Sequence, residues 1–155
     1  MAQPTIIESV GALRDYVGKP LGASDWTVIT QERIDAFAAA TGDHQWIHCD
    51  AERARRDSPW GGTIAHGYLT LSLAPVLLAQ IVVVRDIKTV VNTGADKVRL
   101  SSPVPAGSRV RMLAEFKDVR DVPGGGVRVS MALRFEVEGN PKPACLATVN
   151  YVYFA

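Results

Sequence analysis

The sequence predicts an α+β fold in which an antiparallel sheet wraps around a long central helix. The first observation is an uncharged, mostly apolar stretch at residues 68–84, which is typical of a buried helix. The second is the alternation of apolar and polar side chains at residues 110–117 and 127–137, which indicates strands. No helical pattern separates these late strands, and parallel strands need a crossover that is usually helical. We therefore expect antiparallel pairing around the helix.

The first third of the chain predicts short elements. Residues 1–20 have the pattern of a short amphipathic helix packed on the outside, followed by a strand at residues 26–29. Thr30 is a suitable N-cap for a helix over residues 31–41, and Gly42 would end that helix in a left-handed cap.

The middle of the chain predicts two further helices. Asp50 can cap a short helix at residues 51–56, whereas residues 58–62 contain proline and glycine and should be irregular. The central helix should start near His66, and Pro75 inside it should produce a kink.

The remainder of the chain predicts strands and tight turns. A strand at residues 88–100 is interrupted around residues 92–94, where a bulge is expected. Residues 123–126 should connect the two alternating strands as a hairpin. A turn at residues 139–141 then leads to a last strand at residues 145–154.

Length and composition favour one soluble domain over residues 1–155. A net charge of +1 gives no reason to expect nucleic acid or an anionic membrane as partner.

Cys49 and Cys145 show no disulfide spacing and the N-terminus resembles no signal sequence, so we expect a reduced, cytoplasmic protein. The apolar stretch falls short of the roughly 20 residues of a membrane span, so no membrane insertion is expected.

The candidate chemistry begins with Asp43 and His48, which lie close together in sequence just after the helix that ends at Gly42. A carboxylate accepts hydrogen bonds, and an imidazole both donates and accepts them near neutral pH. A water held between the two could therefore lose or regain a proton, which is the requirement for acid/base catalysis.

A second candidate feature is Gly67, at the predicted start of the central helix. The first N–H groups of a helix have no helical partner and carry its positive dipole end. Because glycine has no side chain, a thioester oxygen that gains negative charge could approach the N–H of Gly67 closely.

The two motifs together resemble those of the MaoC-type dehydratases, also called (R)-specific enoyl-CoA hydratases. The matching residues are Asp43-x-Gln45-x-Ile47-His48 and Gly62-x-Ile64-Ala65-His66-Gly67. Gln45-Trp46 is similar to the NodN-like branch of that family. The similarity extends through residues 92–99 and 103–107.

This resemblance implies a hot-dog fold and reversible addition of water to trans-2-enoyl-CoA, giving (R)-3-hydroxyacyl-CoA. It places Asp43 and His48 on the catalytic pair and Gly67 on the backbone N–H that polarises the thioester carbonyl. It also implies a homodimer with the pocket at its interface, an acyl-CoA or acyl-carrier-protein thioester as substrate, and no cofactor. Four residues depart from the family pattern and concern the acyl pocket: Trp46, Pro75, Thr93 and Leu100.

Other assignments of these residues are weaker. His44, His48 and His66 lie near Cys49, but no HExxH or paired CxxC spacing supports a metal site, so none is expected. Cys49 is a poor candidate for a nucleophile activated by His48, because neighbouring side chains on extended backbone point apart. We expect His66 to anchor the turn.

Basic side chains could contact coenzyme A phosphates, but we interpret them as exposed charge and leave them outside the predicted site. These side chains are Arg53, Arg55, Arg56, Lys97 and Arg99. Two alternatives to a hydratase stay open: a hot-dog acyl-CoA thioesterase, and a non-catalytic protein that binds acyl thioesters.

Overall fold

The computed structural model describes residues 3–155. The strands are β1 (Thr5–Ile7), β2 (Pro20–Ala23), β3 (Thr27–Val28), β4 (Val82–Val84), β5 (Thr89–Leu100), β6 (Arg109–Val122), β7 (Gly126–Val137) and β8 (Pro143–Phe154). The α-helices are α1 (Gln31–Thr41), α2 (Trp46–Cys49), α3 (Ala51–Asp57), α4 (Gly67–Ser72) and α5 (Ala74–Ile81). A 3₁₀ helix occupies Val10–Tyr16.

The main sheet is antiparallel and has the strand order β2-β6-β7-β8-β5, with β3 also paired to β6. Its long hairpin aligns Phe116 of β6 with Met131 of β7, which in turn lies opposite Val149 of β8. These alternate residues face inward and are fully buried against the helical layer. The antiparallel sheet wrapped around apolar helices is the hot-dog fold, as predicted.

The central helix differs from its predicted extent. It is divided at Leu73 into α4 and α5, and Pro75 lies in the first turn of α5. Proline has no N–H to donate to the preceding turn, which explains the interruption. The helix also ends at Ile81 rather than Val84, because the β-branched run Val82–Val84 forms β4 and pairs in parallel with β1.

The buried side of α5 fills the space inside the sheet. Leu77 and Ile81 are almost completely inaccessible, and they belong to one hydrophobic core with Phe135. Other parts of the two helices are not covered, since Tyr68 of α4 and Val76 of α5 are 72% and 57% exposed. The prediction of a buried helix therefore does not hold for these two residues.

Strand β5 forms an open edge of the main sheet. Within residues 3–155 it pairs only with β8, and all of its residues except Gly94 are exposed. The predicted irregularity between Asn92 and Gly94 is confirmed, and a second one lies between Asp96 and Arg99. An edge of this length offers many unpaired backbone groups to another strand.

The N-terminal segment contains more structure than predicted. Its helix is 3₁₀ and buries Val10 and Leu13, whereas Val17 lies beyond its end and is 40% exposed. The strands β1 and β2 were not predicted because three or four residues are too few to show a period. Among residues 3–155, no helix has the length and hydrophobicity needed to cross a membrane.

Candidate active site

Helix α1 sets the position of Asp43. Thr30 caps its start by accepting a hydrogen bond from the N–H of Arg33 at 3.1 Å, as predicted. Gly42 ends the helix with φ of 81°, in the left-handed region that favours glycine. The next residue, Asp43, accepts a hydrogen bond on Oδ1 from the N–H of Gln45 at 3.3 Å. This local turn holds the carboxyl group at the end of α1.

His48 lies in the short helix α2, which the sequence analysis did not predict. The N–H groups of His48 and Cys49 both donate to the carbonyl of Gln45 and close a single helical turn. His48 Nδ1 lies 2.7 Å from the carbonyl oxygen of Ile64. Because a carbonyl only accepts, Nδ1 must carry the proton, and Nε2 of the neutral ring keeps a free lone pair.

The fold brings the predicted pair together. One side-chain polar atom from each of Asp43, His48 and His66 lies within 4.8 Å of the other two. A single water with hydrogen bonds of about 2.8 Å to each partner can span such a distance. The Asp43 side chain is 55% exposed, whereas His48 is buried. A polar site with one side open to solvent results.

Gln31 connects the two motifs, and sequence analysis did not identify it. Its side chain donates a hydrogen bond to the carbonyl of His48 at 2.7 Å and accepts one from the hydroxyl of Thr63. The N–H of Ile64 donates to the carbonyl of Ile47 at 3.0 Å. These bonds fix the segment before α4 beside α2.

His66 is the second residue that sequence reasoning undervalued. It is 3% exposed, and its Nε2 lies 2.9 Å from the backbone carbonyl of Asp43. Its ring stacks on that of His48, with centroids 3.8 Å apart and an interplanar angle of 25°. The Ala65-His66-Gly67 motif contained this residue, but only the tertiary fold shows what it touches.

The same three side chains are a poor fit for a metal ion. Metal-ligating lone pairs of histidine lie in the ring plane, and the stacked rings of His48 and His66 have nearly parallel planes. One nitrogen of each ring is also occupied by a backbone carbonyl. The lone pairs therefore do not converge on one point. His44, which sequence analysis considered as a ligand, is exposed and lies outside this group.

Gly67 begins α4, as predicted, and its N–H has no hydrogen-bond partner within residues 3–155. It lines a cavity of about 300 Å³ together with His48, Trp60 and Leu100. Gly67 and His48 therefore line one space. A carbonyl bound at Gly67 would share this cavity with His48.

The remaining candidates do not join this site. Burial, reinforced by the nearby carboxylates of Asp35 and Asp43, raises the pKa of the Cys49 thiol, which opposes a role as nucleophile. Arg53 packs over the ring of Trp46 at 4.4 Å and pairs with Asp57. This arginine has a role in local packing.

Comparison with known proteins places this geometry in a family. Residues 13–134 match the MaoC-like domain. The chain belongs to the MaoC-like domain family. The 3-hydroxyacyl-thioester dehydratase Z of Mycobacterium tuberculosis strain H37Rv is 49% identical over 147 residues, which cover 94% of this chain and 97% of that protein. Nodulation protein N of Rhizobium leguminosarum bv. viciae is 40% identical over 140 residues, which cover 90% of this chain and 87% of that protein.

Solved structures show the same fold as this MaoC-like chain at lower sequence identity. An R-hydratase from Pseudomonas aeruginosa in its unliganded form superposes with a TM-score of 0.74 at 23% identity, covering 94% of this chain and 85% of that one. An (R)-hydratase from A. caviae superposes with a TM-score of 0.71 at 22% identity, covering 90% of this chain and 96% of that one. The hot-dog fold and the family resemblance inferred from the sequence are both confirmed.

A second cavity of the MaoC-like domain lies on the other side of α4. It has a volume of about 460 Å³ and is mostly apolar, with Phe37, Leu71, Pro75 and Val149 among its walls. The Phe37 ring lies 4.9 Å from the ring of His66. This places an apolar space next to the polar cluster, which suits a substrate with a reactive head and a hydrocarbon chain.

Proposed function

We propose that this MaoC-like protein is a hydro-lyase that adds water reversibly to a trans-2-enoyl thioester and forms the (R)-3-hydroxyacyl thioester. The observation that carries the proposal is that polar atoms of Asp43 and His48 lie within 4.8 Å of each other. His48 also shares a cavity with Gly67, whose N–H has no hydrogen-bond partner within residues 3–155. The similarity to a dehydratase over nearly the whole chain supports the reaction class.

Asp43 and His48 together hold and activate one water. The water donates hydrogen bonds to the carboxylate and to Nε2 of His48, the ring nitrogen that keeps its lone pair. Its oxygen bonds to C3 of the substrate as one of its protons passes to the pair, and the pair then returns this same proton to C2, so both side chains end in their starting protonation state. General acid/base help of this kind contributes about 10²-fold to 10⁴-fold in rate.

The N–H of Gly67 polarises the carbonyl of the thioester. As water adds to C3, negative charge moves onto the thioester oxygen, which accepts a hydrogen bond from the N–H of Gly67. A preorganised donor at such an oxygen is worth about 3 kcal/mol of transition-state stabilisation. The residue must approach the substrate closely, which the absence of a side chain allows.

The proposal includes an acyl-CoA or acyl-carrier-protein thioester as substrate, a cytoplasmic location and no cofactor. The apolar cavity beside Phe37 would receive the acyl chain. We also propose a homodimer joined along β5, because this edge strand is exposed and carries the apolar side chains of Val90, Val91 and Val98. Tyr68 of α4 and Val76 of α5 add further exposed apolar surface.

The decisive experiment is an absorbance assay with crotonyl-CoA and longer trans-2-enoyl-CoAs, because hydration removes the conjugated double bond. We expect activity in the wild type and none in Asp43→Asn, which should keep its fold by circular dichroism. Release of free thiol, detected with a thiol reagent, would identify a thioesterase instead. Binding of the thioester without either change would identify a non-catalytic binding protein. An active Asp43→Asn variant would remove the role given to this carboxylate.

A further inference from the structure

His66 contacts both members of the proposed acid/base pair and directly precedes Gly67 in the chain. Its Nε2 donates a hydrogen bond to the backbone carbonyl of Asp43 at 2.9 Å, because a carbonyl can only accept. Its ring covers the face of the His48 ring at 3.8 Å. It directly precedes Gly67 and is the N-cap residue of α4. One side chain thus joins three chain segments.

Stability alone does not explain a histidine at this position. With Nε2 as donor, Nδ1 of the neutral ring is an acceptor, and it is buried with no hydrogen-bond partner within residues 3–155. A buried polar atom without a partner is destabilising. His66 also makes no hydrogen bond to cap α4 through its side chain. An apolar ring would pack against Phe37 and His48 without this penalty.

We propose that His66 is a positioning residue that fixes the distance and orientation between the Asp43 carboxyl and the His48 imidazole. The inference rests on the proposed function and assigns the two contacts separate tasks. The hydrogen bond holds the chain at Asp43, which is otherwise exposed at the end of α1. The stacking contact holds the plane of the His48 ring, whose other restraint is the bond from Nδ1 to Ile64. Fixing the backbone of Asp43 fixes the position of its carboxyl, which is itself held by the N–H of Gln45.

Two amide variants separate the hydrogen bond from the packing. In His66→Gln the side-chain amide reaches about as far as Nε2 and can donate to the carbonyl of Asp43, whereas in His66→Asn it reaches only as far as Nδ1. Both variants lose the ring and are similarly polar. We expect His66→Gln, which keeps the hydrogen bond but not the stacked ring, to lose less kcat than His66→Asn, which loses both contacts and should fall by roughly 10²-fold, as is typical for displaced catalytic groups. KM should change little in either variant.

A third variant, His66→Phe, keeps a ring against His48 and removes the hydrogen bond. Its kcat should also fall, by less than that of His66→Asn, while its thermal midpoint stays at or above that of the wild type. A purely structural role predicts instead that activity follows the fraction of folded protein in all three variants. Equal kcat per folded molecule in wild type, His66→Gln and His66→Asn would overturn the proposal.

A measurement that needs no turnover separates this inference from the proposed reaction. NMR of the imidazole nitrogens reports the tautomer and ring environment of His48 in the protein without substrate. We expect the shifts of His48 to move in His66→Asn and His66→Gln, which remove the stacked ring, and to move less in His66→Phe. Unchanged His48 signals in the amide variants would refute the positioning role. An inactive wild type with the expected shifts would refute only the proposed reaction.

Discussion

The side chain of Leu100 packs directly against the α-carbon of Gly67. A Cβ added to Gly67 would overlap Leu100 Cδ1 and lie 3.1 Å from Cγ, so no other residue fits there while Leu100 keeps its position. Leu100 is 53% exposed and lines the same cavity as His48. The edge strand β5 therefore determines how much space remains above the N–H of Gly67.

This contact predicts the effect of Gly67→Ala. The added methyl group should push aside the exposed side chain of Leu100, and the two together should block the approach of the carbonyl oxygen to the N–H. We expect kcat for enoyl-CoA hydration to fall by up to about 10²-fold to 10³-fold, the usual effect of losing one oxyanion donor. Steady-state kinetics of the purified variant provides the measurement.

Two controls identify the cause. Gly62→Ala places a methyl group in open space on the same segment and should retain activity. The double variant Gly67→Ala with Leu100→Ala removes the overlapping side chain and should recover part of the lost rate. A double variant as slow as Gly67→Ala alone would show that the overlap is not responsible.

His44 and His48, the two histidines that follow Asp43 in sequence, should respond differently to substitution. His48→Gln removes the ring nitrogen that accepts a proton and should lower kcat by about 10²-fold to 10⁴-fold. His44→Gln changes an exposed ring on the same segment that lies outside the polar cluster, and its activity should match the wild type. Comparable losses in both variants would contradict the assignment of His48.

The open edge of β5 predicts how the protein assembles. Light scattering should give twice the mass of one 16.7 kDa chain. Val91→Lys places a charge on β5 at a residue that is 45% exposed and should shift the protein towards monomers. Val28→Lys makes the same change at a similarly exposed residue of β3 and should leave the mass unaltered. A monomeric wild type would refute the proposed dimer.

The buried side of α1 predicts a stability difference between adjacent residues. Ile34 is completely inaccessible, so Ile34→Ala should lower the free energy of unfolding by about 2–5 kcal/mol through lost contacts and a cavity. Arg33 is exposed, and Arg33→Ala should change the free energy of unfolding by no more than about 0.5 kcal/mol. Urea denaturation followed by circular dichroism measures both. Equal effects would place α1 outside the core.

Cys145 predicts a loss of stability at alkaline pH. Burial raises the pKa of this thiol to about 11, whereas an unfolded chain releases the proton near pH 8.5. Between these values the unfolded state binds fewer protons, so the free energy of unfolding falls as pH rises, by at most about 3 kcal/mol. Cys145→Ala should show a shallower decline in the same denaturation series. Parallel curves for the two proteins would contradict the prediction.

The strands and caps could be predicted because their causes are local. Alternation along Arg109–Val122 and Gly126–Val137 requires one face to be buried, and the glycines between them permit a tight turn. Thr30 and Gly42 determine the ends of α1 through bonds within a few residues. The motif residues Asp43, His48 and Gly67 were likewise found from the sequence, although their catalytic roles stay predictions.

What the sequence by itself determined was therefore the antiparallel order of elements and the residue types at the site. Only the tertiary structure decided that His66 stacks on His48 and that Leu100 covers Gly67, because these pairs belong to segments joined by no local pattern. The tertiary structure also decided that Val82–Val84 forms a strand and not the end of the helix, because this strand exists by pairing with β1, which is distant in sequence. Contacts between distant segments arise from packing of the whole domain, which periodicity within one segment does not specify.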